Sequence, residues 1–396
     1  MRATAHFPRP EPSRKERLTS TTRFPLGPYH PALPQPLALV FQLRGETIDE
    51  TAPPATGYCR RGIAELVSGK PLDAALAIIE RSCATAGHSH RLAACQAIEA
   101  ASGAVPSPRA QLLRAAFAEI ERCLARLWTL GLTARAAGIG AAWRDALDQR
   151  ELLYAALSEE TGERTYWSIA VPGGVRDLPD GADLAKLSVA MDQLEPLVEA
   201  WRVTVGPRGP LGRAGIGTGR ISPEQARQVR LTGLAARASG VAGDLRRDAP
   251  YGAYATAQFE WPAAAVPDRR GGDVADRMSL AVDDLATSVQ LTRLFLADIT
   301  PAQSEAESAQ GAQTAAVASG ANSDSQREGT ATVEGPHGAV TIAVTLTSAG
   351  TVDHISSQLP GAELIAALPD LLQGRTMSQV PMVLASLDLC PECADQ

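Results

Sequence analysis

Long hydrophobic runs are missing from this 396-residue chain. No stretch of about 18 or more apolar residues occurs, so the chain does not span a bilayer by itself. Cysteine is sparse. Six residues (Cys59, Cys83, Cys95, Cys123, Cys390 and Cys393) are too few and too scattered for a disulfide scaffold of this length. Basic residues are not in excess. Lys+Arg is 37 against Asp+Glu 44, a net charge of −7, which argues against nucleic acid or an anionic membrane as the main partner. Lysine is nearly absent (Lys15, Lys70, Lys186), and arginine carries the positive charge. The basic residues Arg2, Arg9, Arg14, Lys15 and Arg17 have no apolar segment behind them and include no twin-arginine pair, so no secretory signal is expected. The expected compartment is the reducing cytoplasm, with the cysteines as thiols or metal ligands and any membrane contact peripheral and made through partners. With 45% apolar and 20% charged residues, collagen, coiled coil and wholesale disorder are excluded.

Along the chain, residues 1–24 are polar and aperiodic and read as a loose tail. Pro36–Leu43 (PLALVFQL) reads as a strand, and Gly57–Gly69 as a loop running into a short helix. Helical periodicity covers Leu72–Ala101. A clearer stripe follows at Leu112, Leu113, Ala116, Phe117, Ile120, Leu124 and Leu127. Another runs through Leu184, Leu187, Met191, Leu194, Val198 and Trp201, and a further helix is predicted over Val274–Leu296 with Asp273 as its cap. Ala302–Gly329 has almost no large apolar residue and reads as a disordered insertion. After it, Val340, Ile342, Val344 and Leu346 alternate as a strand does, with a turn at Ser348–Gly350. No internal repeat is present.

The strongest short signal is Cys390-Pro-Glu-Cys393, two thiols able to converge on one soft metal ion. Alone it is half of a tetrathiolate site, or a redox dithiol with no room for the usual following helix. The second signal, Arg81-Ser-Cys-Ala-Thr-Ala-Gly-His-Ser-His90, offers one soft ligand and two imidazoles. On a continuous helix Cys83 and His90 would share roughly one face. Spacing alone better suits Cys83 as a small buried hydrophobe, with His88 and His90 as hydrogen-bonded polar residues. Cys59, Cys95 and Cys123 fit core positions.

The order of segments then becomes recognisable. Matching stretches are GPYHPAL (Gly27–Leu33), GYCRRGIAEL (Gly57–Leu66), ERSCATAGHSH (Glu80–His90), AFAEIERCLARL (Ala116–Leu127) and TGERTYWSIAVPGGVRD (Thr161–Asp177). They continue with AARASGVAGDLRRDAPYGAY (Ala235–Tyr254), GDVADR (Gly272–Arg277), VEGPHG (Val333–Gly338) and SLDLCPEC (Ser386–Cys393). In this order, nearly end to end, the chain resembles the large subunit of nickel–iron hydrogenases. The resemblance is nearest to the energy-converting branch and its relative, the quinone-pocket subunit of respiratory complex I. It implies an α+β fold, mainly α: a helical bundle core with small β elements near the two ends, one domain over residues 25–301 and 330–396.

In that family two Cys-x-x-Cys pairs hold nickel and an iron that carries carbon monoxide and cyanide. The first Cys of each pair binds nickel only, and the second bridges the metals. The resemblance puts Cys390 and Cys83 at nickel-type positions and Cys393 at a bridging one. The other bridging position is Ala86, which has no donor atom. Further departures border the same centre. The acidic residue expected after the RGI stretch is Ala64, and the arginine expected over the cyanides is His337. After the last cysteine come Ala394-Asp395-Gln396, with neither the basic or imidazole residue nor the cleavable tail of hydrogenase precursors. In complex I relatives a histidine of the first loop contacts quinone. Here His30 is kept, and Pro34 replaces a second histidine.

The pattern implies a retained fold with an altered centre. The expected role is a redox-complex component paired with an iron–sulfur small subunit and, through it, with membrane-arm subunits. Its pocket would lie between the Gly27–Leu33 loop, Glu80–His90 and a C-terminal strand. The alternatives are a scaffold working with hydrogenase maturation proteins, holding the iron–carbonyl–cyanide unit, and a metal-free docking subunit. The cofactor is correspondingly nickel and iron, a quinone, or none. Asp388 reads either as an orienting group for the thiolates or an arginine, or as a turn residue. Arg237, Asp244, Arg246 and Tyr251 read as buried scaffold pairs. Glu119 and Glu121 read as a salt bridge or solvated face ahead of a proton path.

Overall fold

The computed structural model describes residues 21–30, 33, 35–58, 60–178, 184–261, 271–299 and 326–395. Cys59, Pro34, residues 1–20 of the expected tail and 302–325 of the expected insertion lie outside these. Both outer boundaries shift inward: Thr21–Leu26 is strand β1, and the last residues of the expected insertion open a strand at Arg327.

Six helices of nine residues or more form the body among the described residues: α1 (Leu72–Glu80), α2 (Gly87–Ser102), α3 (Pro108–Ala136), α4 (Gly140–Thr161), α5 (Ala185–Val205) and α6 (Val274–Ala297). Their ends follow local chemistry. Ser107 Oγ accepts from Ala110 N at 3.1 Å, and Pro108 takes the first helical position of α3, where no N–H is needed. Asp273 caps α6 as expected, its Oδ1 accepting from Asp276 N at 2.9 Å. The α3 stripe is buried, but so is most of the rest of the helix, including Arg114, Glu119, Glu121, Arg122 and Arg126. Helix α3 is therefore the central post of the bundle, packed on α4, α6 and the short helix Val380–Ser386.

Two three-stranded antiparallel sheets flank the bundle. In the first, β1, β2 (Leu39–Arg44) and β3 (Thr47–Thr51) are neighbours in chain order. Its inner residues Leu39, Phe41 and Ile48 join the main core. A two-residue hairpin, β4 (Ala170–Val171) and β5 (Gly174–Val175), follows α4. The second sheet is a meander of β6 (Arg327–Gly335), β7 (Gly338–Leu346) and β8 (Val352–Gln358), packed on α2. The alternation predicted at Val340–Leu346 is present, with those side chains turned into a second core with Leu92 and Ile98.

Two local features position the site. The predicted continuous helix over Leu72–Ala101 is broken between α1 and α2. At Gly87 a Cβ would sit 2.5 Å from Glu80 O and 2.9 Å from Trp167, so only glycine lets α2 start against the end of α1. At the other feature, Gly335 pairs with Gly338, which leaves Pro336 and His337 as the tip of a tight hairpin. That tip is seated on Gly233, where a Cβ would meet His337 O at 2.2 Å.

Candidate metal centre

Three thiols converge in a small buried cluster. Cys83 lies in the turn between α1 and α2, not on a helix, so the expected shared helical face with His90 is corrected. Cys390 caps a one-turn helix, α7 (Pro391–Ala394), where a strand or no helix is expected from sequence. Pro391 presets the first helical position, and Cys393 N and Ala394 N donate to Cys390 O at 3.2 and 3.3 Å. This turn folds the two C-terminal thiols onto each other. Cys390 and Cys393 Sγ are 2.9 Å apart and Cys83 Sγ is 3.5 Å from Cys390 Sγ, all three lying within 4.8 Å of one another. Ala86 is buried in the same cluster.

The surrounding chain clamps the two halves together. Glu392 accepts from Ala84 N at 3.0 Å, and Gln35 Oε1 accepts from Glu392 N at 3.3 Å. Asp395 accepts from Gly57 N at 2.8 Å, and Arg61 donates to Ser82 O at 2.5 Å. Of the expected pocket walls the Glu80–His90 segment is in place, and Gln35, just beyond the Gly27–Leu33 loop, reaches the C-terminal turn. The third wall is helical.

Two histidines adjoin the thiols. His90 Nε2 is 3.6 Å from Cys393 Sγ, and its Nδ1 is 2.9 Å from Ser82 Oγ. His337 Nε2 is 2.8 Å from Thr85 Oγ1, which in turn is 3.6 Å from Cys83 Sγ. His337 Nδ1 lies 3.1 Å from Asp388 Oδ2. Asp388 has φ 57 and acts as a hub, accepting from Arg126 at 2.8 Å and Thr129 at 2.7 Å. It orients an arginine, one of the two roles sequence leaves open, and also holds His337. Arg126 continues to Asp284 at 3.0 Å and to Pro336 O behind the hairpin tip.

The electrostatics follow from these contacts. Hydrogen bonds from Cys390 and Cys393, against the opposing cost of burial, hold the Cys83 thiol well below the usual thiol range. Cys390 is pushed well above it, because its bond to Cys393 is outweighed by Cys83 and burial. Cys393 is raised too, chiefly by its bonds to Cys390 and Cys83. Burial works against a charged His337, but Asp388 and Cys83 raise it to about 10. Asp388 is held at about 2, chiefly by His337 and Arg126 against burial.

The remaining candidates lie elsewhere. His88 is buried with Nε2 3.0 Å from Arg114 O, and burial lowers it to about 4, so it is a core residue. His30 is exposed on the first loop, with its carbonyl accepting from Leu33 N at 2.9 Å. Cys95 and Cys123 are buried in the two cores, as expected, and burial pushes Cys95 up to about 12. Arg237 and Arg246 form buried pairs with Asp284 and with Glu119 and Asp244. Tyr251 OH accepts from Glu334 N at 3.0 Å. Glu119 is a salt-bridge residue, whereas the solvated face considered for Glu121 is corrected: Glu121 is buried and accepts from His88 N, Ser89 N and Ser89 Oγ at the start of α2. Sequence reasoning missed Thr85, Ser82 and Arg126. Arg126 had a usable signal, since Arg122 and Arg126 form an i, i+4 pair on a helix otherwise rich in apolar residues.

A nickel–iron unit of the family type does not fit this donor set. It calls for four thiolates, two of them bridging, and Ala86 offers nothing. The voids bordering Cys390, Thr85, His337 and Asp388 hold only about 10 and 20 Å³. A single water needs roughly 10–15 Å³, so neither void holds an iron with its carbon monoxide and cyanide ligands. A cavity of about 240 Å³ elsewhere is lined by Leu92, Gln96, Glu99, Arg114, Tyr251 and Tyr254 among others, and by none of the thiols nor by His30, His88, His90, His337 or Asp388.

Comparison with known proteins agrees with the fold and the motif order. The chain is 26% identical over 383 residues to the carbon monoxide-induced hydrogenase of Rhodospirillum rubrum, covering 95% of this chain and all of that one. It is 30% identical over 313 residues to one chain of the NADH-quinone oxidoreductase of Stenotrophomonas maltophilia, covering 73% and 70% of the two chains. A chain of the membrane-bound sulfane sulfur reductase, an archaeal respiratory membrane complex, shares the fold with a TM-score of 0.81 at 22% identity, over 97% of this chain and 100% of that one. No helix among the described residues is long and apolar enough to cross a membrane. Residues 137–396 match the family described as the 49 kDa subunit of the respiratory-chain NADH dehydrogenase, and the chain belongs to that family.

Proposed function

We propose that this chain is the large-subunit-like component of a hydrogenase-like or complex I-like respiratory redox complex, with a three-thiol pocket in place of the binuclear centre. The observation that carries the reading is the convergence of Cys83 with Cys390 and Cys393 from opposite ends of the chain, with Ala86 in the fourth place. The scaffold that positions these residues is complete: the Arg126–Asp284–Arg237 and Glu119–Arg246 pairs, the seated hairpin and the clamped C-terminal turn. A chain that had lost all use for the centre would have no reason to keep three thiols packed without exposure.

The partner in this reading is an iron–sulfur small subunit, and attachment to a membrane arm runs through partners. The maturation-scaffold reading needs thiols that take up and release a preformed iron unit. Cys83, Cys390 and Cys393 are 0%, 1% and 4% exposed, which disfavours such exchange. The quinone reading rests on His30, which stands exposed on its loop, and the voids beside the thiols are too small for a ring.

The test is affinity purification of the tagged chain from its native host in mild detergent. An iron–sulfur polypeptide with its reduced-state paramagnetic signal is expected to co-purify in a fixed ratio. A chain that purifies alone from both membrane and soluble fractions overturns the proposal.

A further inference from the structure

We infer that the cleft between α2, α3 and the short helical turn Gly252–Ala255 binds a small, flat, uncharged heterocycle whose edge carries a hydrogen-bond donor beside an acceptor, the class of the free nucleobases and nicotinamide. The site stands apart from the thiols and does not depend on the reading of their pocket.

Size and floor select a ring. The cavity of about 240 Å³ lies just under the roughly 300 Å³ at which pockets for drug-sized ligands begin, so it suits one or two rings. Its floor is buried and apolar, made by Leu92 of α2, Ala115 of α3, Ala253 and Tyr254. Tyr254 donates its hydroxyl to Glu119 Oε1 at 2.5 Å, and the hydroxyl of Tyr251 accepts from Glu334 N at 3.0 Å. The hydroxyls are thus engaged by the protein, and what the two tyrosines bring to the cavity is ring surface. Their rings meet edge to face at 5.1 Å and form a fixed aromatic corner over the aliphatic floor.

Charge is excluded because the cavity has none unmatched. Arg114 and Glu99 both line it, buried against each other in a doubly bonded pair, Nη1 to Oε2 at 3.1 Å and Nη2 to Oε1 at 2.6 Å. Arg114 also donates Nε to Gly174 O at 2.9 Å and Nη2 to Val171 O at 2.5 Å, so four of its five N–H groups are spent inside the protein. An anionic ligand would have to take this guanidinium from Glu99, and a cationic one would have to take the carboxylate from Arg114. Either exchange leaves a buried charge without its partner.

The rim selects the edge. Gln96 of α2 and Gln111 of α3 line the cavity and are half-buried. Gln96 has no side-chain hydrogen-bond partner among the described residues, which leaves both the donor and the acceptor of its carboxamide for a ligand. Gln111 donates Nε2 to Pro106 O at 3.2 Å and keeps its oxygen. A glutamine carboxamide pairs through two parallel bonds with an adjacent donor and acceptor, as on the edge of adenine or in the amide of nicotinamide. A ring seated on the floor with that edge outward satisfies both side chains.

The full chain is titrated with adenine and with nicotinamide, read by calorimetry and by saturation transfer from the protein to the ring protons. Saturable binding of at least one of them at one site per chain is expected, with a dissociation constant of about 1 mM or below. The tighter of the two separates a two-ring from a one-ring ligand. Gln96→Leu is expected to weaken binding roughly tenfold, with circular dichroism unchanged because that side chain bonds to nothing in the described fold. Benzoate, a charged ring, and toluene, a ring without a polar edge, are each expected to bind roughly tenfold more weakly or worse. Equal or tighter binding of either one, no saturable binding of adenine or nicotinamide up to about 10 mM, or an unchanged affinity in Gln96→Leu would each overturn the inference. Co-purification of the iron–sulfur polypeptide is indifferent to these results, so the larger reading is judged separately.

Discussion

Cys83 and Cys390 are 307 positions apart in the chain and 3.5 Å apart in space. That contact closes the molecule on itself. Glu392 hydrogen-bonds the Cys83 turn, and Gly361, at φ 119, lets the chain pass close beside Cys390 O. Everything chemically distinctive about this chain gathers around that junction.

Removing both C-terminal thiols tests the site with little risk to the fold. Cys390→Ala with Cys393→Ala is expected to abolish bound metal while costing about 1 kcal/mol per side chain in stability, as for small buried deletions. Metal analysis and a denaturant melt on the same preparation measure both. Unchanged metal content would show that the ion binds elsewhere.

Refilling the vacant ligand position is the converse test. Ala86→Cys places a fourth sulfur into the cluster that already holds three. Competition with a chelator is expected to show at least tenfold tighter metal binding. The metal-free variant is expected to lose roughly 1–3 kcal/mol of stability, because the site is already packed. Equal affinity in the two proteins would place residue 86 outside ligand reach.

Asp388 ties the hairpin tip to the central helix. Asp388→Asn leaves Arg126 and His337 buried beside a neutral partner, and breaking such a buried pair costs about 3–5 kcal/mol. Urea denaturation at neutral pH reads the loss directly. A change below about 1 kcal/mol would mean that Asp284 and Pro336 O alone suffice to hold Arg126.

Glu121 supplies a pH dependence of definite sign. Burial raises its carboxyl from 4.5 to about 8, against the hydrogen bonds from Ser89 and His88. The folded chain therefore keeps a proton that the unfolded chain releases, so this group's contribution to stability falls as pH rises from 4.5 towards 8 and is flat above that. Glu121→Gln removes the titration. Across that range the unaltered protein is expected to lose on the order of 4 kcal/mol more than the variant. Parallel stability curves for the two proteins would show that Glu121 stays ionised in the fold.

Much of the fold is legible in the residues. The stripes of α3 and α5, the Asp273 cap and the alternation of β7 each rest on contacts between positions a few residues apart, and such local patterns survive folding intact. The break between α1 and α2 escapes the periodicity. Its cause is a clash that Gly87 avoids with Glu80 O and with Trp167, 80 positions further on, a neighbour that no local pattern names. The C-terminal turn escapes for a different reason: four residues are too short for any periodicity, and only Pro391 hints at it.

The candidate site divides in the same way. Its thiols and the missing fourth donor follow from residue identity alone, since Ala86 cannot ligate whatever the fold. Which imidazole stands near the thiols does not. His88 and His90 are two residues apart, yet at the start of α2 the helical turn directs one towards Arg114 O and Phe117 and the other towards Cys393. Residue types and motif order by themselves determined the family and the helical bundle. Only the tertiary structure decided that Arg126 lies behind the hairpin tip and that His337 pairs with Asp388. Those outcomes depend on packing between segments distant in sequence, where distances of tenths of an ångström decide the chemistry.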